Sequence, residues 1–215
     1  MKTPDFSHVR TAAVFFTVPL LLIGCAKPRT SDGIALAEQP DAVIILRGVA
    51  GEVFSKGMDE LAARLQREGH PTIVTSYANW MTLASARDDN ELPCKAIIGH
   101  SAGADHAIEI ARALNRRGID VDYLFLFDPR FPLTIPPNVR QCYNFMSPVP
   151  VGNSVPVLPD LGNTRTVIHN DVKWNLGHLD IDDNLALQNF IASRLRDLPD
   201  RDGEYGPRVR VVSHD

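Results

Sequence analysis

The sequence predicts an α/β fold: a mostly parallel sheet of about six strands with helices on both faces. Three observations predict it. Short apolar runs recur at 42–46, 72–77, 95–99 and 122–127. Stretches with helical apolar spacing separate them, and strand–helix alternation of this kind builds a parallel sheet. The run "DYLFLF" (122–127) is apolar at both parities, as a strand covered on both faces must be.

Each element has its own signals. "AVIIL" (42–46) reads as a buried strand. Ser55 is placed to cap a helix over 56–68, with Met58, Leu61 and Leu65 on one face and Gly69 ending it. "TIVTSY" (72–77) is the next strand, and 80–88 a short helix. "KAIIG" (95–99) is the third strand. The helix after it spans 102–117, with Ala107, Ile108, Ala111 and Leu114 as its apolar stripe and Gly118 at its end. After 122–127, "QCYNFM" (141–146) and "RTVIH" (165–169) are shorter strands. The last helix runs over about 181–196, capped by Asp180, with Leu187, Phe190, Ile191 and Leu195 facing the core.

The chain has 215 residues, 44% hydrophobic and 22% charged, which suits one globular domain with a sizeable core. Its formal net charge of -4 holds no basic excess, so nucleic acid is not an expected partner. Upstream of the domain, Lys2 and Arg10 precede an apolar stretch of 13 residues (11–23). That is short of the roughly 20 residues needed to span a bilayer and fits the apolar region of a secretory signal. Leu22-Ile23-Gly24-Cys25 then resembles the lipobox of bacterial lipoproteins. The resemblance implies cleavage before Cys25 and lipidation of that cysteine, and Ala26 implies sorting to the outer membrane, facing the periplasm. Several acyl chains hold a protein to a membrane far better than one, at about 0.8 kcal/mol per buried CH₂. The expected division is a signal peptide (1–24), a lipidated tether (25–40), a folded α/β domain (41–197) and a flexible tail (198–215).

Chemistry enters at Gly99-His100-Ser101-Ala102-Gly103, which fits G-x-S-x-G between a strand and a helix. Glycine at both flanks removes the Cβ atoms that a sharp turn would bring into contact. The serine then stands at the carboxyl end of the sheet, beside the free N–H groups of the helix that follows. A nucleophilic serine needs a base, and the base an orienting carboxylate. Beyond the serine's own helix only His169, His178 and His214 follow it. His214 falls in the tail and His169 at a strand end. His178, on a loop before the last helix, is the expected base. Asp128 closes "YLFLFDP" at the end of the strand after the serine's own, and is the expected acid; Asp171 is its rival.

The loop "LRGVAGEVFSKGM" (46–58) resembles the R-G-x loop of cutinases and related lipases. The likeness implies an oxyanion hole made by the amides of Val49 and Ala102. Together these segments resemble the α/β-hydrolase superfamily, as a small lidless lipase- or thioesterase-like member without a cap domain, over about 41–196. The implied activity is acyl transfer from an ester or thioester through an acyl-enzyme. Esterase, thioesterase and peptidase remain open. Val49, Phe54, Phe131 and Leu133 point to an apolar acyl group, or to ordinary core. Loops 132–137 and 148–159, stiffened by proline, are the candidate covers for the site. A catalytically silent envelope lipoprotein, keeping the fold as a binding module, is the competing function. No CxxC, HExxH or carboxylate cluster suggests a metal, His100 and His106 lie on or beside the serine's helix without suitable co-ligands, and no cofactor is expected. Cys94 and Cys142 open strands with one strand between them, about 9.6 Å apart, too far for a disulfide, so free buried thiols are expected.

Overall fold

The computed structural model describes residues 42–86, 94–148, 155–198 and 210–214. The expected signal peptide, Cys25 and the tether lie outside the described residues. Strands β1 (Val43–Arg47), β2 (Thr72–Ser76), β3 (Cys94–His100), β4 (Val121–Phe127), β6 (Val139–Met146), β8 (Val167–Val172) and β9 (Arg210–His214) form one sheet in the order β2-β1-β3-β4-β6-β8-β9. Every neighbouring pair is parallel. Two short strands, β5 (Thr134–Ile135) and β7 (Leu158–Pro159), pair separately. The helices are α1 (Gly51–Phe54), α2 (Lys56–Arg67), α3 (Trp80–Ala86), α4 (Ala102–Asn115) and α5 (Leu185–Arg196).

Alternation along each strand sorts the core into two layers. Ile44, Leu46, Ile97, Leu124 and Leu126 face α3 and α4, where Leu83, Ala107, Ile108, Ala111 and Leu114 complete one cluster. Val43, Ile45, Ile98, Phe125 and Phe127 face α2 and α5, against Met58, Leu61, Leu65, Leu187, Ile191 and Leu195. Each fully buried aliphatic or aromatic side chain of this size contributes about 1.5–3 kcal/mol. The chain leaves β1 toward β2 and returns across it to β3. Strand order therefore reverses at β1, and parallel sheets bind ligands at the carboxyl ends of strands beside such a reversal.

Several boundaries differ from expectation for local physical reasons. The last helix begins at Leu185, because the Asn184 side chain accepts the amides of Ala186 and Leu187; Asp180 lies in the turns before it. Ser55 precedes α2 but makes no side-chain cap, its hydroxyl being turned into the core. Arg210–His214, inside the expected tail, adds to β8 as an edge strand. The two prolyl loops do not meet over the serine in their described parts. They join as β5 and β7 and are held by Arg112, which donates to Asp160 at 2.9 Å and to the Thr134 carbonyl at 2.7 Å. Ten residues separate Arg112 from Ala102, about 15 Å along the helix. Cys94 and Cys142 are buried and unbridged, and burial pushes the Cys142 thiol up.

Candidate active site

Three strand ends supply the site. Ser101 follows β3, Asp128 follows β4, and His178 lies in the turns between β8 and α5. The elbow forms because its glycines permit it. A Cβ on Gly99 would stand 2.3 Å from the Gly103 carbonyl oxygen, and one on Gly103 2.2 Å from that of Leu46. Between them Ser101 is held at φ 55°, ψ -120°, a region that costs a non-glycine residue about 1–3 kcal/mol. Its amide donates to the Phe127 carbonyl at 2.8 Å, and its own carbonyl accepts from Ala104 at 3.0 Å. The strained turn is thereby tied to both β4 and α4.

The three side chains meet. His178 Nε2 lies 3.1 Å from Ser101 Oγ, and His178 Nδ1 lies 2.9 Å from Asp128 Oδ2. A carboxylate only accepts, so Nδ1 carries the proton in the neutral ring and Nε2 turns its lone pair to the serine. Asp128 is 1% exposed, and its neighbours serve the same orientation. Ser147, at the end of β6, donates its amide to Oδ1 at 2.8 Å and its hydroxyl to Oδ2 at 2.5 Å. Asp105, buried in the first turn of α4, accepts the Arg130 amide and Nε, each at 2.9 Å, and so pins the chain just past the acid. The rival Asp171 pairs with Lys173, just past the end of its own strand. His169 stacks on Tyr143 with ring centroids 4.4 Å apart.

The loop carrying Val49 passes directly beside the serine. A Cβ on Gly48 would lie 3.1 Å from both Ser101 Cβ and the His100 carbonyl oxygen, so a side chain there would need this packing to give by a few tenths of an ångström. Ala102 is the first residue of α4, and its N–H has no carbonyl one turn earlier to serve. The neighbouring Ala50 is left-handed, φ 50°. Ser101 and Asp128 are both buried, as is His178, which is 9% exposed. Around them Val49, Phe54 and Phe131 are 52%, 48% and 51% exposed, whereas Leu133 packs against the core. A cavity of 290 Å³ opens beside the loop, lined by Arg47, Gly48, Ala50, Gly51, Val53 and Ser76.

Beneath the triad lies a second polar cluster. His100, 1% exposed, places Nδ1 2.8 Å from Ser55 Oγ and Nε2 2.8 Å from the His178 carbonyl. Ser55 Oγ also accepts the Gly48 amide at 3.1 Å. Burial pushes His100 down to about 4. Asp182, fully buried, has one oxygen 4.0 Å from His100 Nδ1, and neither oxygen has a hydrogen-bond partner. Burial, reinforced by Asp183, pushes its carboxyl up to about 7, while the amides of Asp182, Met58 and Gly57 pull the other way. Ser147, His100 and Asp182 carry no short-range motif that would have marked them for these positions.

Among the described residues no group of three or more His, Cys, Asp or Glu is arranged to hold a metal, and no helix is long and apolar enough to cross a membrane. No family model, curated protein or solved structure matches the chain.

Proposed function

We propose that the chain is a serine hydrolase that cleaves an ester or thioester through an acyl-enzyme intermediate. The observation that carries this is the unbroken line Ser101 Oγ, His178 Nε2, His178 Nδ1, Asp128 Oδ2, with contacts of 3.1 Å and 2.9 Å, assembled from three strand ends. His178 takes the Ser101 proton as Oγ attacks the acyl carbon. The carbonyl π pair moves onto oxygen, and the Val49 and Ala102 amides stabilise that charge. The bond to the leaving oxygen or sulfur then breaks, and His178 returns the proton to the departing alcohol or thiol. Water repeats the sequence, giving its proton to His178 and releasing the acid and free Ser101. Asp128 keeps the ring in the required tautomer and stabilises the imidazolium.

The exposed apolar side chains beside the site favour a substrate with an apolar acyl group. A lipid on Cys25 would hold the domain at the bacterial outer membrane, facing the periplasm. No metal or cofactor takes part in this scheme, and nucleic acid is not a partner.

A fluorophosphonate probe and p-nitrophenyl butyrate test the proposal. The purified chain should take the label and release p-nitrophenol, and Ser101→Ala should lose both, with turnover falling at least about 10³-fold. Folded wild-type protein that neither labels nor turns over overturns the hydrolase reading and leaves the fold as a binding module.

A further inference from the structure

We propose that His100 is a positioning residue: through Ser55 on one side and the His178 carbonyl on the other, it locks the oxyanion loop and the base loop to each other. The proposal rests on the hydrolase reading of Ser101, His178 and Asp128. It concerns a side chain that touches none of the reacting atoms.

With the His100 ring and the Asp182 carboxyl beside it both held neutral by burial, the proton inventory of the cluster has one solution. The His178 carbonyl can only accept, so the 2.8 Å contact makes His100 Nε2 the donor. Burial keeps the ring neutral, so Nδ1 is a bare acceptor. The Ser55 hydroxyl, 2.8 Å away, must therefore give its proton to Nδ1. That leaves the Ser55 lone pairs to receive the Gly48 amide at 3.1 Å. The result is a directed chain, Gly48 N–H to Ser55 Oγ–H to His100 Nδ1 and His100 Nε2–H to His178 O. Every link lies in residues that are buried or glycine.

The ends of this chain sit one bond from the chemistry. Gly48 precedes Val49, whose amide is assigned to the oxyanion, and the His178 carbonyl belongs to the residue whose imidazole is the base. Neither end lies in a regular element: 48–50 form a turn with left-handed Ala50, and 174–183 are turns. His100 is the last residue of β3, an interior strand of the sheet, and directly precedes the serine. One rigid strand end thus sets serine, base loop and oxyanion loop in a common frame. The His100 and His178 rings, with centroids 5.0 Å apart, pack together as well. Breaking the chain would displace a transition-state donor and leave substrate binding nearly untouched, so turnover should fall without a matching rise in KM.

Three substitutions separate the links. His100→Gln keeps an N–H near the Nε2 position for the His178 carbonyl and loses the acceptor for Ser55. His100→Asn keeps an acceptor near Nδ1 and loses the reach to His178. Ser55→Ala cuts the Gly48 link. With p-nitrophenyl butyrate, each should lower kcat about 10- to 100-fold with KM within about threefold. Any of the three variants keeping wild-type kcat overturns the proposal. A readout free of catalysis accompanies this. In ¹⁵N-labelled wild-type chain, the His100 ring should show a protonated Nε2 and a bare Nδ1 at pH 7, and a spectrum with Nδ1 protonated also overturns it. Should wild-type protein neither label nor turn over, the hydrolase reading fails first and the positioning role with it. An active wild type with insensitive variants refutes the positioning role alone.

Discussion

Asp182 offers a stability test with an unusual sign. It is fully buried, its oxygens make no well-formed hydrogen bond, the nearby amides of Asp182, Met58 and Gly57 offset burial only in part, and burial raises its carboxyl from an ordinary 3.8 to about 7. At 1.36 kcal/mol for each tenfold change, that rise amounts to about 4 kcal/mol as a ceiling. Below pH 3.8 the group is protonated in folded and unfolded chains alike. Between 3.8 and about 7 the folded chain holds the proton and the unfolded chain has lost it, so stability falls as pH rises through this window. Above it the folded protein carries the whole cost of an ionised carboxylate in the core. Asp182→Asn removes the charge at constant size. The variant should therefore be more stable than wild type at pH 8, by about 2–4 kcal/mol. The gain should shrink as pH falls through 7 and be gone near pH 4. His100, pushed down to about 4, loses stability in the opposite direction as the unfolded chain takes up protons below 6.5. Because Asp182 lies 4.0 Å from His100 Nδ1, the substitution also alters that ring's titration, so the comparison is read first at pH 8, where His100 is neutral in both folded and unfolded chains. Urea unfolding at pH 4, 6 and 8, with an unchanged dependence on denaturant, reads the effect directly. A variant less stable than wild type at pH 8, or a gain indifferent to pH, would refute the claim that burial outweighs the amides around the Asp182 carboxyl.

Two further substitutions separate the turn from the chemistry. Gly103→Ala sets a Cβ 2.2 Å from the Leu46 carbonyl oxygen, backbone that cannot yield, so the elbow should open, with unfolding easier by about 3 kcal/mol or more and fluorophosphonate labelling lost. Circular dichroism melting alongside labelling checks both. Ser147→Ala removes one of the two Ser147 donors to Asp128 and keeps the amide, so kcat should drop about tenfold at unchanged KM, with the fold intact.

Local pattern was enough for the framework. β-branched runs between amphipathic segments placed six of the seven main-sheet strands, and the G-x-S-x-G spacing placed Ser101 on its turn. Chain order then singled out His178, because few histidines follow the serine. The supporting groups were not legible, and the reason is distance along the chain. Ser55 meets His100 across 45 residues, His100 meets the His178 carbonyl across 78, and Ser147 meets Asp128 across 19. Periodicity reports on neighbours within a few turns and says nothing of such pairs. Ser55 illustrates the limit. A serine just before a helical pattern reads as a cap, and only the packed sheet reveals an imidazole that holds its hydroxyl instead. Asn184 shows a milder version: Asp180, Asp182, Asp183 and Asn184 are all acceptable capping residues, and with Ile181 and Asp182 drawn into the core the helix begins after the last of them.

Backbone strain bears on the choice between an enzyme and a silent relic of one. Among the described residues the non-glycine residues with positive φ are Ala50, Ser101 and Asp128, at 50°, 55° and 54°. They fall in the loop carrying Val49, at Ser101 and at Asp128: the proposed oxyanion loop, nucleophile and acid. Such conformations cost of order 1 kcal/mol or more each and persist only where surrounding structure enforces them. A binding surface needs shape, and an alanine, a serine and an aspartate in relaxed turns would supply that at lower cost. What the strained turns add is direction. Under the proposed mechanism they aim an amide, a hydroxyl and a carboxylate at the points the reaction requires, and the proposed chain through His100 holds two of those three to one frame. Strain concentrated there, and absent from the other described non-glycine turns, favours a site maintained for chemistry over a fold kept for contact alone.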